Sequence, residues 1–310
     1  MTLPPLLRDR LSLPLIGSPM FIVSQPELVM AQCRSGIVGA FPSLNARPSG
    51  MFEAWLRQLG EALTEKDAPF AVNLIVHRTN ARLEEDLKLC VQYRVPIVIT
   101  SLGAREDVNR AIHSYGGIVL HDVINNVFAR KAIEKGADGL IAVAAGAGGH
   151  AGTLSPFALI QEIRQWFDGP LALSGAIATG RAIAAARMLG ADLGYMGSPF
   201  IATTEANADA AYKQMIVDSG AADIVYSDVF TGVHGNYLRP SIVASGLDPD
   251  GLPKAKDMDF ASLTGGEKKA WRDVWGAGQG IGAIDQIQPA ADFIAQLKAE
   301  YQAAVDGFTA

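Results

Sequence analysis

Eight short aliphatic runs, each followed by a stretch long enough for a helix, constrain this chain more than any other feature. They are PLIGSPM (14–20), GIVGAF (36–41), FAVNLIV (70–76), PIVITSL (96–102), GIVLHDV (117–123), GLIAVAA (139–145), PLALSGAI (170–177) and DLGYMGS (192–198). They are rich in Val, Ile and Leu and alternate little with polar residues, as a strand covered on both faces of a parallel sheet does. The stretches between them carry helical punctuation. In QPELVMAQCRSG the run after Pro26 is apolar on one face and stops at Gly36. Ser155 is placed as an N-cap with Pro156 at the first helical position. Thr179 caps TGRAIAAARMLG, and Gly190 ends it. Eight strand-plus-helix units in series predict a closed (β/α)8 TIM barrel over 10–219. An open doubly wound sheet is the competing arrangement, because it gives the same local alternation.

After Ser219 the rhythm breaks. The stretch from Tyr226 to Phe260 carries Gly, Pro and Asp without a long period. The expectation for 220–285 is an irregular, cap-like insertion over one end of the barrel, with short helices near 262–275. Tyr226, His234 and Tyr237 are then placed near the mouth. An ordinary packed insertion is the other reading. WGAGQGIGAI (275–284) is a second glycine-rich turn. The segment 286–310 holds an amphipathic helix from Pro289 to about Val305, and the whole chain reads as a single domain.

A net charge of −6, with no Lys/Arg cluster, argues against a nucleic-acid surface. No apolar run approaches the roughly 20 residues of a membrane span. The start, MTLPPLLRDRLSLP, lacks the basic, apolar and small-residue segments of a signal peptide. Cys33 and Cys90 stand alone, so the expectation is a cytoplasmic protein with two reduced thiols. His77, His121, His150 and His234 show no H-x-H or H-x-x-x-H spacing, so no metal site is expected. No G-x-S-x-G elbow of a hydrolase is present.

The chemistry concentrates at strand ends. Gly146-Ala147-Gly148-Gly149-His150-Ala151 follows the sixth run and precedes a helix. It fits the loose dinucleotide pattern G-x-G-x-x-[GA], but the next strand ends in no acid to hold a ribose, and Asp168 lies before that strand. In a barrel the same turn lies on the catalytic face. The seventh run ends Ser174-Gly175-Ala176-Ile177, with Thr179-Gly180 at the next helix start. The eighth ends Met196-Gly197-Ser198. Small residues after strands seven and eight let backbone N–H groups approach a phosphate, the usual anion site of this fold. Asn73 is an amide among aliphatics and needs partners, either backbone or a cofactor ring edge. Ser18, Pro19 and Met20 close the first strand, where a backbone run can border a flat ring. His121 and Asp122 close the fifth, either as a polar pair in the site or as a satisfied core histidine beside a capping acid.

The G-G-H-x-G turn, the strand ending near Met20, F-x-V-N with Asn73, S-G-A-I, M-G-S and the late A-G-Q-G-I-G together resemble the flavin-dependent nitronate monooxygenase family, once called 2-nitropropane dioxygenases. The similarity covers nearly the whole chain. It implies a barrel holding FMN, with the phosphate against Gly175, Ala176, Gly197 and Ser198, and with Ser174 and Met196 among the cofactor-binding residues. It also implies that Asn73 and the backbone of Ser18, Pro19 and Met20 contact the ring, that Gly148 and Gly149 pass close by its edge, and that Asp122 is a further cofactor-binding residue. His150 is implied as the catalytic residue facing the substrate. The chain departs from the family pattern at Gly146, where an acid is frequent, at Asp122, where quinone-reductase-like relatives carry lysine, and at Ala176, where a second glycine is common. The implied partners are an anionic, nitronate-like substrate and O2, and barrels of this kind often pair as homodimers. The implied reaction turns an alkyl nitronate into a carbonyl compound and nitrite, with His150 acting as imidazolium toward the anion or as a neutral base toward a nitroalkane. The alternatives are an NAD(P)H-dependent reductase of quinones or enoyl thioesters and a non-catalytic flavin-binding barrel.

Overall fold

The computed structural model describes residues 3–252 and 274–309. Each of the eight runs contains a strand: β1 (Leu15–Gly17), β2 (Gly39–Pro42), β3 (Phe70–Ile75), β4 (Ile97–Ser101), β5 (Ile118–Val123), β6 (Gly139–Val143), β8 (Leu171–Ser174) and β9 (Leu193–Met196). A two-residue strand, β7 (Gly149–His150), lies in the loop after β6. The eight long-range strands pair in parallel in the order β1-β9-β8-β6-β5-β4-β3-β2. The open ends of that order meet through a parallel bridge, Ile16 to Val38, with Gly17 N–H donating to Val38 O at 2.7 Å. The sheet is therefore a closed (β/α)8 barrel, and the doubly wound alternative falls.

Period-two alternation divides the strand side chains between two cores. Ile16, Val38, Ala40, Ala71, Ile97, Ile99, Ile118, Leu120, Ile141, Ala172 and Leu193 fill the barrel interior, joined by Leu7 from the short N-terminal helix Pro5–Arg8. Leu15, Val72, Val98, Val119, Leu140, Ala142 and Leu173 face outward into the helical layer. That double burial is why the runs read as continuous aliphatic sequence.

The C-terminal helix, Ala290–Thr309, closes the outer layer against the helix Gly180–Met188. Gly180 allows this contact: a Cβ there would stand 2.1 Å from Leu297 O. Its N–H donates to Glu300 Oε2 at 2.7 Å. The small residue at that helix start serves helix packing, and its amide is already spent.

The stretch after Ser219 is more regular than its composition predicts. β10 (Ile224–Ser227) and β11 (Gly235–Leu238) form an antiparallel hairpin, and β11 pairs in turn with β7. Each hairpin strand has four residues, too short for a period to stand out of its Gly- and Asp-rich surroundings. The helices expected near 262–275 fall almost wholly outside the described residues. Among the described residues no helix is long and apolar enough to cross a membrane, and no group of three or more His, Cys, Asp and Glu could hold a metal ion.

Candidate active site

The inward-facing positions turn polar at the C-terminal ends of the barrel strands. Ala71 leads to Asn73, Ile99 to Ser101, Leu120 to Asp122, Ala172 to Ser174 and Leu193 to Tyr195, each two residues on. These side chains border a cavity of about 900 Å³. Asn73 Nδ2 donates to Ile99 O at 3.1 Å and to Ser101 Oγ at 2.7 Å, and Ser101 Oγ donates to Asp122 Oδ2 at 2.6 Å. Burial pushes the Asp122 carboxyl up to about 6, opposed in part by the Ser101 hydroxyl. Burial and then the Asp122 charge raise the Tyr195 phenol well above its ordinary value, against a hydrogen bond with Ser18. His121 turns to the other face of β5, where Nδ1 meets Thr100 Oγ1 at 2.5 Å, and burial lowers it to about 4. His121 and Asp122 both line the cavity, but their side chains bond different partners, Thr100 and Ser101.

The two glycine-rich turns interlock above this floor. Gly146 O accepts from Ala176 N at 3.2 Å and from Gln279 N at 2.9 Å, and Ser198 Oγ accepts from Gly278 N at 2.8 Å. A Cβ on Gly148 would stand 2.8 Å from Gly278 N and 2.9 Å from Ser198 Oγ. Gly146 has φ +84, and a Cβ there would stand 3.0 Å from Gln279 Oε1 and 3.3 Å from Ala176 Cβ. The position where the family pattern often has an acid thus holds a left-handed backbone that favours glycine. Ala176, at φ +54, holds a left-handed conformation that glycine adopts without strain.

His150 stands in β7, opposite Gly235 of the hairpin. Its Nε2 lies 3.0 Å from Thr231 Oγ1. Burial lowers the imidazole to about 4, so it is neutral at pH 7. The hairpin grips the His150 loop at three further points. Ala151 N donates to His234 O at 3.2 Å, Tyr226 OH to Ala151 O at 3.0 Å, and Asn236 Nδ2 to Ala147 O at 2.6 Å.

Of the residues singled out from sequence, Ser18, Pro19, Met20, Asn73, Asp122, Gly148, Gly149, His150, Ser174, Gly175, Ala176, Gly197 and Ser198 all line the one cavity. Met196 does not: its side chain is buried in the outer core and its carbonyl accepts from Ser18 N at 2.8 Å. Tyr226 and His234 reach the wall, stacked with ring centroids 5.0 Å apart, whereas Tyr237 is fully buried. Sequence reasoning passed over Ser101, Tyr195, Thr231 and Asn236. Counting by twos from Ile97 and Leu193 identifies the first two. No local signal marks Thr231 or Asn236, since their partners lie more than eighty residues away.

A family model described as nitronate monooxygenase matches residues 78–300. The chain belongs to the nitronate monooxygenase family. It is 26% identical to a nitronate monooxygenase of Paraburkholderia phytofirmans, over 94% of this chain and 93% of that one. It is similar to a FabK structure from Thermotoga maritima, with a TM-score of 0.81, 26% identity and coverage of 98% and 96%. A nitroalkane oxidase from Streptomyces ansochromogenes shares the fold, with a TM-score of 0.85 at 24% identity over 97% and 99% of the two chains. The chain is thus an oxidoreductase of a flavin-dependent family. Its site fits such a cofactor. The cavity lies at the upper end of the range for pockets that bury a whole ligand, about 300–1,000 Å³. Small residues and hydroxyls (Ser174, Gly175, Gly197, Ser198) border it after the seventh and eighth barrel strands, where this fold takes phosphate.

Proposed function

We propose that the protein is an FMN-dependent nitronate monooxygenase, oxidising alkyl nitronates with O2 to carbonyl compounds and nitrite. The observation that carries this reading is the neutral His150 on the wall of a large cavity at the catalytic end of the barrel. FMN, when bound, supplies the electron exchange between nitronate and oxygen. In this reading Ser174 to Ala176 and Gly197 with Ser198 hold its phosphate, while Asn73, Asp122 and the Ser18–Met20 backbone border its ring.

The chain's own task is to bind the anion and manage a proton. Burial holds the imidazole neutral, so His150 is competent to accept the α-proton of a nitroalkane. The nitronate so formed, or one taken from solution, favours the protonated ring beside it, because an adjacent anion raises a histidine's affinity for protons. The result is a charge-assisted hydrogen bond from His150 to the nitronate oxygens. The hairpin of β10 and β11 with its connecting loop acts as a cap, a role supported by Tyr226, Val233 and His234 on the cavity wall.

His150→Ala should retain bound FMN and lose turnover of a nitronate by about 10²-fold or more. Turnover equal to the parent's would remove His150 from the reaction. The likeness to FabK favours a second reading, a reductase drawing electrons from NAD(P)H. Oxidation of NADH or NADPH with a quinone, in the absence of nitronate, tests it.

A further inference from the structure

We propose that the apolar rim on one side of the cavity mouth, centred on Ile124 and Phe128, binds the hydrocarbon tail of the substrate. The substrate class is then nitronates with an extended alkyl chain, in preference to those of the smallest nitroalkanes. This rests on the nitronate reading above and names the part of the substrate that lies away from the reacting carbon.

Five of the ten large apolar side chains exposed among the described residues occupy two short stretches of the chain. Ile124, Val127 and Phe128 follow β5, and Leu154 and Phe157 follow the His150 loop. Single apolar residues scattered on a surface need no explanation, whereas a group gathered beside a pocket marks a binding surface. The two stretches are neighbours in space. A Cβ on Gly152 would stand 3.1 Å from Ile124 Cβ. Asn126 Nδ2 donates to Glu162 Oε2 at 2.7 Å, which ties the start of the helix Asn126–Glu134 to the helix Pro156–Arg164. Both helices begin beyond the C-terminal ends of their strands, so their first turns stand on the face that holds the cavity.

Continuity with the cavity says what covers this rim. Ile124 is 40% exposed and Phe128 48%, yet both line the cavity. They therefore join the site to the outer surface. Ile124 lies against Gly152, two residues from His150. A chain whose anionic head sits at His150 meets Ile124 as it leaves the site and reaches Phe128 a helical turn further on. Asn125 caps that helix, its Oδ1 accepting from Phe128 N at 3.0 Å, which fixes the backbone that carries Phe128. Lys131 borders the cavity one turn beyond and ends the apolar lane. A methylene fully removed from water contributes about fourfold in affinity, and one laid on a half-open rim about twofold.

The test uses the FMN-loaded protein and n-alkyl carboxylates from acetate to decanoate, unreactive stand-ins for the planar nitronate head, titrated by calorimetry. Turnover of primary alkyl nitronates of the same lengths is measured alongside. Carboxylate affinity and nitronate kcat/KM are both expected to rise about twofold per methylene from the butyl to the octyl compound. The double variant Ile124→Ser with Phe128→Ser should flatten that rise. Met188→Ala, at an exposed apolar residue outside the cavity lining, should keep it. A flat length dependence in the parent overturns the proposal, and so does a rise that survives in the double variant. A parent dimer that the double variant dissociates, with no length dependence in either, overturns it in favour of a contact between two copies of the chain. The two levels fail separately. Carboxylate affinity that climbs with length in a protein that turns over no nitronate sinks the reaction and keeps the rim, as a site for an apolar-tailed anion. Nitronate turnover that ignores length sinks only the rim.

Discussion

At the scale of single residues, Asp122 is an acid whose ionisation burial opposes. Its folded value of about 6 stands above the ordinary 3.8. Between those values the folded chain holds a proton that the unfolded chain has released. The acid therefore contributes most stability below about pH 4 and loses that contribution as pH rises through 6. Asp122→Asn should consequently be more stable than the parent at pH 7.5 in flavin-free protein, by up to about 3 kcal/mol, because the amide oxygen still accepts from Ser101 without a buried charge. The advantage should vanish near pH 4, as urea unfolding at the two pH values would show. An equal difference at both would mean that Asp122 is not held protonated by burial. Ala176 gives a second prediction. A left-handed residue with a Cβ is strained, so Ala176→Gly should raise stability by up to about 1 kcal/mol. Thermal unfolding would detect it, and a lower Tm would assign the Ala176 methyl a packing role that outweighs the strain. Asn73 was readable from sequence because an amide among aliphatics must find partners. Ser101 was not, because a serine at the end of PIVITSL looks the same whether it starts a turn or faces the barrel interior.

At the scale of elements, the glycine turns and the hairpin carry the site together. Gly148 has no room for a side chain, whereas a Cβ on Gly282 would meet nothing closer than 3.5 Å. Gly148→Ala should therefore weaken flavin binding about 10-fold or more, with Gly282→Ala as the silent control. Titration of flavin fluorescence reads both, and unchanged affinity in Gly148→Ala would show that the second turn can yield. The hairpin grips the His150 loop through the buried Asn236, and Asn236→Ala leaves Ala147 O without that donor. A loss of about 1–3 kcal/mol is expected in chemical denaturation, and no loss would mean that the loop holds without the hairpin. The glycine turns were legible because glycine clusters are local. The hairpin was not, because what makes it regular is its pairing with a strand over seventy positions earlier, and no period within four residues reports that.

At the scale of the whole molecule, the series of eight doubly buried strands was the most legible property. The run 70–76 became Phe70–Ile75 and the run 170–177 became Leu171–Ser174, its last residues turning into the loop that borders the cavity. Double burial explains both the legibility of the strands and the silence about order, since an open parallel sheet buries the same residues. The Ile16–Val38 bridge settles it. The same burial shapes the pH response. His121 and His150, both lowered from 6.5 to about 4, refuse protons that the unfolded chain accepts. Their effect opposes that of Asp122, and two histidines outweigh one acid.

In the proposed reaction a flavin site takes electrons from a nitronate. The direct measurement is the visible spectrum of the purified, FMN-loaded protein under anaerobic conditions, before and after a nitronate is added, with NAD(P)H added to a separate sample. The account predicts a flavin band that the nitronate reduces and NAD(P)H leaves intact. A band bleached only by NAD(P)H would contradict it in favour of a reductase, and a protein that binds no FMN would contradict the cofactor site itself.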